Sequence, residues 1–385
     1  MNLRRAVSIV GIGVAALLLI QQVRGLLADP TIWPPDDFIE YWAAARLTVT
    51  GENPYDPARL LPLQQAAGRD TSEAVMMWNP PWSLAVVLPL GLLPPREAQL
   101  LWLLVNFAAL GFSGDRLWLI FGGRRESRWI GWLAAIAFLP SLFALQSGQI
   151  SPLLLLGAVL FLECERRGWH LLAGAAMLLL AIKPHLAYLV WVAILCRTGF
   201  GGRAGLLQIL GGLLAGVAAT VIATACDPAI LPQYADALAN RPPAQWLSPT
   251  LGTVLRLAFG ADLFKLQFVP VVAGFAWFAW YWKHHAAAWN WTEQLPLLLL
   301  VSFITAPYGA WPFDLVLLLP AAVKLLVLRR AMLPLVAINA ACLAMNLLQT
   351  GSFAFIWVAP ALLVTYLAGT RGEARSTASV PAVAA

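Results

Sequence analysis

Long apolar runs separated by short polar breaks dominate the chain. A spanning helix needs about 20 mostly apolar residues. Runs that reach or approach this length cover 6–27, 97–121, 129–146, 150–164, 169–183, 185–197, 204–226, 266–282, 292–308, 311–328, 332–349 and 353–369. The pattern predicts an all-α polytopic membrane protein with about 12 transmembrane helices. Pro184 disfavours helix at Lys183, so the runs on either side of it should form a broken pair. Pro80, Pro81 and Pro89 interrupt a further apolar run ending at Leu93. That stretch is expected to be re-entrant or to lie near the outer surface.

The polar breaks assign sides. Arg4/Arg5, Arg124/Arg125/Arg128, Arg166/Arg167, Arg197/Arg203, Lys283, Arg329/Arg330 and Arg371/Arg375 fall in breaks that a regular alternation puts on one side. By the positive-inside bias that side is cytoplasmic. Both termini are then cytoplasmic, and Arg4-Arg5 with its long apolar run reads as a retained signal-anchor. Two large loops face outward, 28–78 and 227–265. In the first, Asp37 to Leu47 and Pro57 to Ala67 have amphipathic helical patterning and could lie on the membrane surface. In the second, Ser248 to Phe259 reads as a short amphipathic helix with Ser248 as N-cap and Pro249 in its first turn. Residues 1–369 are taken as a single integral-membrane domain, and 370–385 as a disordered cytoplasmic tail.

Composition removes other classes. Hydrophobic residues make up 60% of the 385 positions and charged residues 11%. Soluble domains run at roughly 45–50% and about 25%. The formal charge of +6 is explained by topology, so no nucleic-acid partner is expected. The four cysteines have neither metal-ligand spacing nor the look of a disulfide framework.

Candidate chemistry collects on the outer side. Asp36 and Asp37 follow the first run, with Tyr41 one helical turn after Asp37. A carboxylate among Trp33, Phe38 and Trp42 could accept a proton from a substrate hydroxyl, although an acidic loop with interfacial aromatics has the same spacing. Gly51-Glu52-Asn53-Pro54-Tyr55-Asp56-Pro57 is strong turn chemistry; Asn53, Tyr55 and Asp56 are sugar- or acceptor-binding candidates within it. Gln149, after the turn at Ser147-Gly148, could hydrogen-bond sugar hydroxyls. Lys183 stands at the outer end of a span against the positive-inside bias, which suits an anion such as a lipid phosphate, or snorkelling to headgroups. Arg256 is a second anion-clamp candidate. Tyr308 and Asp314 flank a loop broken by Pro307, Gly309 and Pro312.

Taken in order, Asp37-Phe-x-x-Tyr-Trp-x-Ala-Ala, Gly51-x-Asn-Pro-Tyr-Asp, Asn79-Pro-Pro, Gly148-Gln, Lys183-Pro, Pro307-Tyr and Phe313-Asp resemble glycosyltransferase family 87. The resemblance runs from about Asp37 to Pro320. It implies a GT-C-type helical bundle that takes sugar from a polyprenyl-phosphate donor, the type activity being mannosyl transfer. It further implies inverting transfer to a lipid or glycan acceptor at the periplasmic face of the bacterial inner membrane. Asp37 matches the expected general base, with Asp36 one residue away as the alternative. Lys183 matches the group that neutralises the leaving phosphate, with His185 and Arg256 assisting. No cofactor and no metal are demanded. Asn79-Pro80-Pro81 and Trp311-Pro312-Phe313 depart from the usual motifs, so mannose does not carry over automatically. The competing class is a multi-pass transporter or lipid flippase, although neither sequence repeats nor a clear mid-bilayer ionisable group points to it. A non-catalytic envelope subunit is a third option.

Overall fold

A computed structural model describes residues 33–240 and 247–371, together with Gln21, Gly25 and Asp29. The expected first span, 6–27, and the tail beyond Arg371 lie almost entirely outside these residues. The described residues are helical, with no strand among them. In order the helices are α1 Phe38–Val49, α2 Pro57–Ala66, α3 Pro81–Val87, α4 Pro95–Ile120, α5 Trp129–Ala137, α6 Leu139–Ser147, α7 Ser151–Arg166, α8 His170–Leu180, α9 Tyr188–Gly201 and α10 Arg203–Cys226. They continue as α11 Ile230–Asn240, α12 Leu251–Phe259, α13 Val269–His285, α14 Trp291–Ile304, α15 Leu319–Val327, α16 Met332–Leu347 and α17 Val358–Thr370.

Most apolar runs become helices within a few residues of the expected bounds. Among the described residues, three helices can cross a membrane by length and composition: Pro95–Ile120, Arg203–Cys226 and Ser352–Thr370. A fourth crossing arises if α5 and α6, bent by 59°, count as one. Pro140 sits in the first turn of α6, and Phe138 before it is extended. The bend frees backbone groups that an apolar medium cannot satisfy. Asn339 on α16 supplies both partners, accepting from Leu139 N at 2.8 Å and donating to Ala137 O at 2.8 Å. The segment Pro81–Leu92 is a short apolar helical stretch pinned against α1. Arg46 donates to Gly91 O and Trp42 to Leu93 O, each at 3.0 Å. A side chain at Gly91 would meet the Ala45 carbonyl at 2.5 Å.

Two expectations about the outer helices need correction. Helix α1 forms where expected but is no surface helix: ten of its twelve residues are buried. Its polar residues are satisfied internally, and Ala43-Ala44-Ala45 gives neighbouring backbone room to approach. Helix α12 is capped by Thr250, which accepts from Thr253 N, and not by Ser248. Helix α2 behaves as its pattern suggests, burying Leu60 and Gln64 and exposing Arg59 and Gln65.

The inner packing is tight where small residues meet. Gly174 on α8 lies against Gln208 O of α10, and Gly211 of α10 against Leu171 O, with no space for a Cβ at either. Such contacts suit helices that associate in lipid. The opposite face of α10 presents Leu206, Leu210, Leu213, Leu214, Val217 and Val221 outward, an apolar surface that fits acyl chains.

Candidate active site

Four separate chain breaks converge on one cavity of about 670 Å³. The first is the entry to α1. Asp37 precedes the helix and faces the cavity, whereas Asp36 is exposed, in a left-handed conformation (φ 41°), and outside the cavity lining.

The second is the α6–α7 turn. Gly148 ends α6 at φ 67°, a conformation that glycine adopts at little cost. It also lies so close to α1 that a Cβ there would meet Phe38 Cβ at 2.6 Å. Its carbonyl accepts from the Trp102 indole at 2.7 Å. The turn therefore delivers Gln149 against the start of α1. Gln149 Nε2 donates to Asp37 Oδ2 at 2.8 Å, and Tyr41 OH donates to Gln149 Oε1 at 2.9 Å.

The third is the break between α8 and α9. Pro184 leaves Lys183 out of the helix (φ −127°, ψ 71°), as expected, and a 3₁₀ turn, Pro184–Ala187, follows. Lys183 Nζ donates to Gln149 Oε1 at 3.1 Å and to Asp314 Oδ1 at 2.8 Å. It also stands 5.0 Å from the centre of the Phe313 ring. The fourth is the loop before the 3₁₀ turn Asp314–Leu318. Asp314 has no exposed surface, accepts from Ser151 Oγ, and accepts from Trp311 N at 3.2 Å. His185 and Tyr308 face each other across the rim at 4.7 Å between ring centres. Gly309 sits beside the imidazole, where a Cβ would meet His185 Nε2 at 2.7 Å.

One amide thus lies between a carboxylate and an ammonium that is itself held by a second carboxylate. A free Asp37 oxygen can take a proton, and Lys183 retains donor capacity for an anion. Glu40, absent from the expected site set, lines the same cavity. Burial, reinforced by the Asp37 charge, pushes its carboxyl up to about 8. The i,i+3 spacing from Asp37 is the sequence signal that could have found it. Tyr234 and Ser151 are likewise additions. Tyr234 lines the cavity from α11, and Ser151 anchors Asp314.

The remaining expected residues lie outside the cavity lining. Asn53 Oδ1 accepts from Tyr55 N at 2.9 Å, and Asp56 caps α2 by accepting from Ala58 N at 3.0 Å. Neither lines the cavity. Tyr55 is buried behind it, 5.2 Å from the Tyr234 ring, and donates to Asn79 O. Arg256 does not reach the cavity lining. Its guanidinium is folded back on Ala261 O at 2.9 and 3.0 Å and on Gln267 Oε1 at 3.2 Å, with Phe264 alongside.

A second, apolar groove of about 540 Å³ runs between α8, α9 and α10. The two spaces adjoin along the chain: Pro80 and Ile182 line the cavity, Trp82 and Ala181 the groove. Trp82 Nε1 donates to Ala181 O at 3.0 Å, tying the two walls together.

Comparison with curated proteins and with solved structures returns no match. The family comparison returns glycosyltransferase family 87, matched over residues 78–307. That span holds Gln149, Lys183 and His185, while Asp37 and Asp314 fall on either side of it. With more than half of its length matched, the chain belongs to glycosyltransferase family 87.

Proposed function

We propose that this glycosyltransferase moves a sugar from a polyprenyl-phosphate donor to a lipid or glycan acceptor, with inversion, at the periplasmic face of the inner membrane. About 12 crossings with both termini cytoplasmic would place the cavity outward, following the charge distribution of the sequence. The observation that carries the reading is the junction of two dissimilar spaces. A cavity holding carboxyl groups and an ammonium adjoins an apolar groove that opens between helices. A donor with a charged phosphate and a long hydrocarbon tail fits that pair of environments.

In this mechanism the acceptor hydroxyl approaches Asp37, and the free carboxylate oxygen takes its proton. The oxygen attacks the anomeric carbon from the side opposite the phosphate. The carbon–oxygen bond to the phosphate breaks, and its electron pair leaves with polyprenyl phosphate. A single displacement inverts the anomeric centre. Lys183 faces the charge that grows on the leaving phosphate, and such preorganised electrostatics is usually the largest catalytic contribution. Gln149 keeps Asp37 oriented, and His185 with Tyr308 shapes the rim for donor or acceptor. The sugar is mannose or another hexose or pentose.

Reconstituted protein supplied with labelled polyprenyl-phosphate sugar and membrane acceptor tests the reading. Wild type should form covalent product, and Asp37→Asn should slow transfer by about 10²–10⁴-fold. Undiminished transfer by Asp37→Asn removes Asp37 as base. Accumulation of sugar inside sealed vesicles without covalent product favours a transporter instead.

A further inference from the structure

Three carboxyls line the cavity: Asp37 is the proposed base, Asp314 holds Lys183, and Glu40 has no part in the steps described. Glu40 is only 8% exposed and follows Asp37 on the same face of α1. The motif Asp-Phe-x-x-Tyr-Trp leaves its position open, so the family resemblance assigns it nothing. The backbone N–H of Trp78 donates to it. Among the described residues no lysine or arginine comes within ion-pair distance of it. The titratable groups that face it are Asp37 and Tyr41 from its own segment, Lys183 from the α8–α9 break, and Asp314 from the loop before α15.

Charge arithmetic in the cavity decides what Glu40 can do. Lys183 is the one lysine or arginine among the lining residues, against the carboxyls of Asp37, Glu40 and Asp314. With Asp37 and Asp314 ionised the lining already carries one excess negative charge. A donor phosphate adds more. An ionised Glu40 would then leave a buried carboxylate beside the phosphate with no cation of its own, an expensive arrangement. A protonated carboxyl reverses the interaction, because it becomes a hydrogen-bond donor. We propose that Glu40 belongs to the donor-phosphate site, where its protonated carboxyl donates a hydrogen bond to a phosphate oxygen alongside Lys183. The inference rests on the reading of Lys183 as the phosphate partner. Burial and the Asp37 charge, which raise the Glu40 carboxyl to about 8, keep that proton in place at neutral pH. Phosphate binding needs the protonated form, so affinity is full below this titration and declines as pH rises through it.

The test is binding of polyprenyl phosphate, the leaving group common to donors of this class, to the detergent-solubilised full chain between about pH 7 and about pH 9. Wild-type affinity should fall about tenfold across that interval, as a proton-requiring site titrating near 8 dictates. Glu40→Gln keeps a neutral donor of similar shape. It should bind within about threefold of wild type at the lower pH and lose the fall attributed to Glu40 at the higher. Glu40→Leu, lacking the donor, should bind about tenfold more weakly even at the lower pH. The same pH dependence in wild type and Glu40→Gln overturns the role of Glu40, as does a Glu40→Gln variant as weak as Glu40→Leu. Either result, with wild-type binding intact, leaves the donor assignment standing. Absence of wild-type binding at every pH brings down the donor assignment and Glu40's role together.

Discussion

Helix α7 carries polar chemistry at both ends, and the two ends are built on different terms. At one end Ser151 donates to the buried Asp314, within the network that joins Asp37, Gln149 and Lys183. At the other end, Glu163 pairs with Arg167 and with Arg116 of α4, the latter at 3.8 Å. Nearby, Asp115 is held by Arg116 at 3.2 Å and by Arg128 at 2.7 Å, and His170 meets Glu165 at 2.6 Å. The second set is mostly local in sequence, and its basic partners are partly exposed. The first set joins residues separated by 112, 131 and 163 positions, and Asp314 within it is fully buried. Local pairs can form wherever a helix ends, and water screens them. Long-range buried pairs exist only if the whole bundle closes, so they can hold charge where water would otherwise weaken it.

The sharpest way to break the contrast is Lys183→Met, which leaves Asp314 buried without its cation. Loss of one partner from a buried pair costs about 3–5 kcal/mol, and transfer should be lost with it. Thermal unfolding of Lys183→Met and of the double variant Lys183→Met/Asp314→Asn separates the two effects. The double variant should regain much of the stability and none of the transfer. Recovered transfer would show that Lys183 serves only to neutralise Asp314. A smaller effect is expected at Gly148→Ala, where the left-handed backbone and the close approach to Phe38 should cost about 1–3 kcal/mol. Because Gln149 would shift, transfer should fall by more than stability alone accounts for; an unchanged rate would detach the turn from the site. Least of all, Arg167→Ala at the other end should change stability by about 0–1 kcal/mol and leave transfer unaltered. A large loss there would mean that the cluster around Glu163 is as tightly coupled as the network around Asp314.

Helix positions were largely legible because apolar runs leave a strong mark, and Lys183 stood out because a lysine at that end of a span runs against the positive-inside bias. The pairing was not legible. Nothing in the local sequence says that Gln149 meets Asp37 or that Asp314 accepts from Lys183, since these contacts depend on how four breaks fold together. Helix α1 misled because the amphipathic patterning over Asp37 to Leu47 suits a helix lying on a membrane surface. In the fold Arg46 is spent on Gly91 O, Thr48 on Ala44 O at 2.8 Å, and Glu40 faces the cavity. Arg256 misled for the converse reason: an arginine on an outer helix looks available, yet its own loop supplies the carbonyl that engages it.

The Gln149 amide has a kinetic consequence. Its nitrogen orients the proposed base, and its oxygen receives the cation assigned to the donor. A change in the length or polarity of that side chain moves both partners at once. If the two roles proposed for Asp37 and Lys183 hold, a substitution at this position should change turnover and donor saturation together.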